Sequence, residues 1–277
     1  MTDLRRMATD IRQTIIEQSK RANVGHIGSC LSIADLLAAL YGRVLHIPDL
    51  ADPRRDRFIL SKGHAALALY ATLDQTGLLE EDRVEDYCSN GSRLSGHPDH
   101  LLPGVEFATG SLGQGLSLGA GCALASRLSG ADYRVFVLMS DAECNEGSVW
   151  EAVMFAAHHR LSNLVVVVDD NGQQALGRTR DVLDISPLAE RWQAFGWDTR
   201  SVDGHDPDGV ADALDELDTT DGPPHVVVAK TVFGKGVSYM ESKIHWHYWS
   251  MSDDEYALAR EELSLAESLA ATTETVR

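Results

Sequence analysis

From Tyr133 onward the sequence alternates short, nearly continuous apolar runs with longer segments of helical periodicity. The runs are Tyr133–Met139, Leu164–Val168 and His225–Ala229, and the helical patterns between them are Val149–Arg160, Pro187–Phe195 and Pro207–Leu217. A strand that is apolar at every residue needs cover on both faces, and strands separated by a helix are joined by crossovers rather than hairpins. The expectation is an α/β fold, a parallel sheet with helices on both faces. Ligands of such sheets bind beyond the carboxyl ends of the strands, which is where Asp141 and Asp169-Asp170-Asn171 fall.

The N-terminal part is helical in texture. Leu4, Met7, Ala8, Ile11, Ile15 and Ile16 recur at helical spacing from Thr2 to about Arg21, and the turn G-H-I-G-S-C at Gly25–Cys30 interrupts them. Ser32 is expected to cap a second helix running through Leu40, and Ser61–Gly77 a third, opened by Lys62-Gly63-His64. The glycine-rich turn Thr109–Gly115 opens an apolar helix through Ala125. With no internal repeat, low-complexity tract or linker, the 277 residues are expected to form a single domain, with a helical C-terminal extension from about Ser252.

Charge narrows the partners. Lys and Arg number 24 against 42 Asp and Glu, and the net charge of -18 would repel nucleic acid and anionic membrane surfaces alike. The cysteines, Cys30, Cys88, Cys122 and Cys144, form no C-x-x-C pair, the chain opens on a charged amphipathic segment, and no stretch is long enough to span a bilayer. A reduced, cytoplasmic protein is expected.

Three constellations bear chemistry. Asp141 and Asn171, each just after an apolar strand, can offer oxygens to one hard divalent cation whose shell a diphosphate would complete, although a strand-end Asp also serves as a helix cap. The turn Thr109–Gly115 lets backbone approach a phosphate or an aromatic ring, and its glycines equally suit tight helix packing. His26, His64, His97 and His247 each stand beside Gly, Pro or Trp in an expected loop, where imidazoles can exchange protons with the hydroxyls and carbonyls of a sugar.

In residue type and order, G-H-I-G-S at Gly25–Ser29, R-D-R-F-I-L-S-K-G-H-A at Arg55–Ala65, G-H-P at Gly96–Pro98 and T-G-S-L-G-Q-G at Thr109–Gly115 resemble transketolases. The series continues through Asp141, E-G-S-V-W-E at Glu146–Glu151, D-D-N at Asp169–Asn171 and W-H at Trp246-His247, from Thr2 to about Tyr256. The resemblance implies a thiamine diphosphate-binding fold holding the diphosphate and Mg2+, with Ca2+ or Mn2+ as substitutes. Asp141 and Asn171 would be side-chain ligands and Gln173 a main-chain carbonyl ligand, with Ala142 against the diphosphate. Gly110, Ser111 and Leu112 would meet the cofactor's pyrimidine side, Ser29 would help hold it, and His64 and His247 would reach cofactor and substrate together. His26 and His97 would bind the hydroxyls and carbonyl of a ketose donor, and Glu146 and Glu151 would join a glutamate network at a subunit interface.

Three positions depart from that pattern. The usual Gly-Asp-Gly is Ser140-Asp141-Ala142, and Phe233 stands where many relatives carry a lysine, so cationic help for the diphosphate must come from elsewhere. The chain also ends where a full-length transketolase begins its pyrimidine-binding and C-terminal domains. The resemblance therefore implies one half of a two-component transketolase, inert until a partner brings the glutamate that activates the cofactor ring, the two assembling as an α2β2 heterotetramer. Together they would move a two-carbon ketol unit from a ketose or its phosphate to an aldose or its phosphate. The alternatives are a decarboxylating thiamine diphosphate enzyme and a cofactor-free, non-catalytic interaction subunit.

Overall fold

The computed structural model describes residues 2–79 and 82–274, with side chains through Leu265. Helix α1 (Leu4–Ala22) starts on Asp3, whose carboxylate accepts the Arg6 amide at 3.0 Å, and stops where Asn23 turns left-handed at φ 55°. Helices α2 (Ile27–Ser32) and α3 (Ala34–Ala39) follow, separated at Ile33, and a π-helical turn, Leu40–Val44, ends the run. Strand β1 (Arg57–Leu60) leads through a 3-10 turn, Gly63–Ala65, into α4 (Ala66–Gln75). Then come α5 (Gly115–Ser129), β2 (Val135–Ser140), α6 (Gly147–His158) and β3 (Leu164–Asp170). A small antiparallel hairpin, β4 (Gln173–Gln174) and β5 (Gly177–Arg178), precedes α7 (Thr179–Val182) and α8 (Leu188–Ala194). Strand β6 (Asp198–Asp203), α9 (Pro207–Asp215), β7 (His225–Lys230) and α10 (Asp253–Glu274) complete the chain.

The five-stranded sheet has the order β1-β2-β3-β7-β6 and is parallel throughout. Side-chain alternation divides the core between its two faces. Phe58, Leu60, Phe136, Leu138, Val165, Val167 and Val227 point to one face, against α1, α3, α4, α9 and Leu263 of α10. Ile59, Val137, Met139, Val166, Val168, Val226 and Val228 point to the other, against α5, α6 and Trp192 of α8. Among the described residues no helix is long and apolar enough to cross a membrane.

The three apolar runs are strands, and the helices expected between them are present. Two strands carry no comparable sequence signal. β1 lies in a segment legible only as a motif, and β6, at the sheet edge, has a mixed sequence, D-T-R-S-V-D, with no fully buried residue. The expected helix from Ser32 to Leu40 is instead broken at Ile33. Ser32 is not a cap: it is wholly buried, and its hydroxyl donates to Asp169 Oδ2 at 2.9 Å, a tertiary partner that outcompetes local capping. The expected helix at Ser61 begins only at Ala66, because the Lys62-Gly63-His64 segment makes a 3-10 turn against Thr109.

Candidate functional site

The site forms at the carboxyl ends of β2 and β3, where Ser140 pairs in register with Asp169. Asp141 and Asn171 therefore leave neighbouring strands side by side. Asp141 is 3% exposed; its Oδ2 accepts the Thr179 hydroxyl at 2.8 Å and the Gly172 amide at 3.2 Å. Its Oδ1 is buried with no hydrogen-bond partner. Burial lifts this carboxyl to about 7, the Thr179 hydrogen bond opposes the rise, and the nearby charges of Asp169 and Asp170 add to it. A buried, orphaned carboxylate oxygen costs free energy until a cation or donor meets it, so this atom suits a divalent metal. Asn171 directs its amide nitrogen to Asp169 Oδ2 at 2.7 Å, and its oxygen accepts the Gln173 amide at 2.9 Å. Among the described residues no group of three or more His, Cys, Asp or Glu could hold a metal alone. A cation here would complete its shell from carbonyls, water and diphosphate oxygens.

The backbone accepts the Ser140-Asp141-Ala142 sequence without strain. Asp141 has φ −57° and ψ −38°, and Ala142 opens a 3-10 turn, a conformation that L residues adopt freely. The Ser140 hydroxyl accepts the Glu143 amide at 3.3 Å and so ties down the same turn.

Beneath the strand ends lies a buried ion pair between Lys62 and Asp169. Lys62 Nζ donates to Asp169 Oδ2 at 2.6 Å and to the Ser29 carbonyl at 3.1 Å, and both side chains of the pair are completely enclosed. Asp169 also accepts from Ser32, Asn171 and Thr231. Lys62 is thus a cation beneath Ser29, on the floor shared with Asn171. Phe233, where a lysine is common in the family resembled, is 1% exposed and closes against Gly28, whose added Cβ would fall 2.1 Å from the Phe233 ring.

The four histidines converge. The His26 ring lies 5.3 Å from His64, 6.3 Å from His97 and 5.1 Å from His247, and His64 and His247 are 5.2 Å apart, centroid to centroid. Local structure explains the meeting. His26 sits at φ 63° before α2, its amide donating to the His247 carbonyl at 3.1 Å. His64 lies in the turn before α4, with Nε2 3.0 Å from Ser29 Oγ. The His97 carbonyl accepts from Tyr70 Oη at 3.1 Å and Ser95 Oγ at 2.6 Å. Burial holds His26, His64 and His247 below the ordinary imidazole range; His97 lowers His26 further, Lys62 lowers His64, and His26 contributes to bringing His247 to about 4. Near neutral pH these three rings are uncharged, each with one nitrogen able to accept a proton and the other able to donate one.

The turn Gly110–Gly113 forms the remaining wall. Gly110 has φ 147° and stands so close to His97 that a Cβ would fall 2.8 Å from its ring. A cavity of about 400 Å³ opens there, lined by His97, Thr109, Gly110, Ser111 and Gln114. Packing explains the later glycines: a Cβ on Gly115 would fall 2.4 Å from Ser61 Oγ and one on Gly119 2.5 Å from Val137. Leu112, Glu146 and Glu151 are exposed. The structure therefore brings together His26, His64, His97, His247, Ser29 and Gly110 on one side and Asp141, Ala142, Asn171 and Gln173 on the other, joined by Lys62 and Asp169. Asp169 could have been recognised as the first residue of D-D-N, since it shares the inward face of β3 with Val165 and Val167.

Residues 4–275 match the family model described as transketolase, thiamine diphosphate binding domain. The chain is 40% identical over 255 residues to an apulose-4-phosphate transketolase subunit of Phocaeicola vulgatus, covering 91% of each protein. It is 36% identical over 264 residues to 6-deoxy-6-sulfo-D-fructose transketolase subunit SqwG of a Clostridium species, covering 94% of this chain and 96% of that one. The transketolase of Campylobacter jejuni superposes with a TM-score of 0.87 at 29% identity, covering 94% of this chain; the chain spans 42% of that structure's length. The five-stranded parallel sheet, its strand-end Asp141 and Asn171 and this match over nearly the whole chain agree: the protein belongs to the transketolase family, as its thiamine diphosphate-binding domain.

Proposed function

We propose that this chain is the cofactor-binding half of a two-component transketolase that moves a two-carbon unit from a ketose, or its phosphate, to an aldose or its phosphate. The orphaned Oδ1 of Asp141 beside Asn171 carries the reading, because a buried carboxylate oxygen without a donor, on a side chain whose other oxygen is already satisfied, fits a cation better than any structural role. Asp141, Asn171 and the Gln173 carbonyl hold Mg2+, and Ala142 lies along the diphosphate. Ca2+ or Mn2+ can take the same oxygens. Gly110, Ser111 and Leu112 contact the pyrimidine side, and Ser29, His64 and His247 anchor the cofactor. When bound, thiamine diphosphate supplies the carbon nucleophile and electron sink for cleaving and forming the carbon–carbon bond.

The chain's own residues orient the sugar. His26 and His97 hydrogen-bond its hydroxyls and carbonyl, and the uncharged rings of His64 and His247 take and return protons as a hydroxyl becomes a carbonyl. Lys62 offsets the Asp169 charge, so that the acidic floor does not repel the diphosphate.

A second polypeptide carrying the pyrimidine-binding and C-terminal domains completes the centre in an α2β2 assembly, with Glu146 and Glu151 at the interface; both are exposed in the isolated chain. Two relatives are named as transketolase subunits, which supports a split enzyme, and their named sugars support a ketose substrate. Four free cysteines suit the reducing cytoplasm. Calorimetric titration with thiamine diphosphate and Mg2+ tests the site. One-to-one, Mg2+-dependent binding that disappears in Asp141→Ala is expected, and unchanged affinity in that variant would refute it.

A further inference from the structure

Glu143 is completely buried, yet its partners are three neutral donors drawn from three separate parts of the site. Its Oε1 accepts the Ser61 hydroxyl at 2.5 Å and the Gly113 amide at 2.9 Å, and its Oε2 accepts the Ser140 amide at 2.9 Å. Ser61 precedes Lys62 and His64, Gly113 closes the turn of Gly110, Ser111 and Leu112, and Ser140 precedes Asp141 and Ala142. Gly113 is held at both ends: its carbonyl accepts the Ser148 hydroxyl at 3.1 Å, and its φ of 80° with Glu146 against its α-carbon leaves no room for a side chain.

We propose that Glu143 is a positioning residue, the one carboxylate that sets the histidine turn, the glycine turn and the metal-binding strand end in mutual register. The inference rests on the proposed cofactor site, since it is that site's geometry which Glu143 sets. A buried carboxylate is costly to desolvate, and a core apolar side chain would fill the space more cheaply. What the carboxylate alone provides is acceptor capacity on both oxygens. The amide groups of Gly113 and Ser140 are obligate donors on opposite oxygens, so a glutamine cannot serve both; one amide must face its NH2 group, donor to donor. The Ser61 hydroxyl can rotate away and tolerates the exchange.

Glu143→Gln is therefore the informative variant, with Ser61→Ala as a second that removes a single tie. On the cofactor-free chain, hydrogen exchange in Glu143→Gln should rise at residues 109–114 and 140–142, while β3 and α1 keep their protection. Affinity for magnesium–thiamine diphosphate, measured by calorimetry, should fall by at least about tenfold, the factor carried by one hydrogen bond to a charged group. Ser61→Ala should show a smaller loss of affinity and faster exchange at residues 109–114. Parental exchange and affinity in Glu143→Gln would overturn the proposal, and so would faster exchange across β3 and α1 alike, which reduces Glu143 to core stability. If Glu143→Gln does not fold, Ser61→Ala decides, and parental behaviour there overturns it. A parent chain that takes up no magnesium–thiamine diphosphate defeats the proposed function, whereas the exchange measurement still decides whether Glu143 pins the three segments.

Discussion

Replacing Asp141 with asparagine should make the cofactor-free chain more stable while destroying its use for the cofactor. In the folded chain the Asp141 carboxyl is lifted from 3.8 to about 7, mainly by burial and further by Asp169 and Asp170. That rise of about 3 corresponds to roughly 4 kcal/mol at about 1.4 kcal/mol per unit, an unfavourable contribution that grows as pH climbs from the unfolded value to the folded one and is complete above it. Asparagine removes the charge and keeps an oxygen for Thr179 and Gly172, but it places an NH2 group where Oδ1 now has no partner, at a cost of about 1–3 kcal/mol. The net gain is about 2 kcal/mol at pH 8, a rise in Tm of roughly 4–8 °C for a domain of this size. At pH 5 the carboxyl in the folded chain is protonated and most of the penalty is already gone, so the gain should vanish. Thermal melts of parent and Asp141→Asn by circular dichroism at both pH values make the comparison. A variant less stable than the parent at pH 8, or equally stabilised at both, would refute the reasoning that the site is an electrostatic reservoir waiting for a cation.

Three further outcomes are expected. In the reconstituted enzyme His97→Ala should lower ketose turnover far more than cofactor affinity, whereas His247→Ala should lower both; steady-state kinetics alongside calorimetry separates the two patterns, and parallel losses in His97→Ala would place that ring at the cofactor. Ala142→Gly should bind magnesium–thiamine diphosphate as tightly as the parent or more tightly by calorimetric titration, since a methyl group beside the diphosphate is removed, and a marked loss would mean the turn depends on alanine. His247 falls from 6.5 to about 4 on folding, so its contribution to stability is present above pH 6.5 and is lost as pH falls toward 4. Taken in full the shift is about 3 kcal/mol. Solvent screening of this part-exposed ring reduces it to about 1–2 kcal/mol, by which the loss between pH 7 and 4 should be smaller in His247→Gln.

The strands that could be read directly were those whose burial is uniform. β2, β3 and β7 are buried on both faces, and their sequences are correspondingly near-continuous apolar runs. β6 is half-exposed at the sheet edge, so its pattern carries little signal, and β1 is only four residues long. Within the site, the histidines and strand-end residues were recognisable by type and neighbourhood. Lys62 and Glu143 were not, because what distinguishes them is complete burial beside partners such as Asp169, 107 residues from Lys62, and Ser61 and Gly113, 82 and 30 residues from Glu143, and no local pattern encodes that. Ser32 shows the converse: its local setting favours capping, while a buried carboxylate 137 residues away claims its hydroxyl.

The most direct test of the split-enzyme account is a two-carbon transfer assay on this chain, on a polypeptide carrying the pyrimidine-binding and C-terminal domains, and on their mixture. Each sample receives Mg2+, thiamine diphosphate and a ketose–aldose pair, with pyruvate as the alternative donor and size followed by light scattering. Transfer from the ketose is expected from the mixture alone, in a particle with two copies of each chain. Robust turnover by the isolated 277-residue chain, or activity of the mixture with pyruvate and not with the ketose, would contradict it.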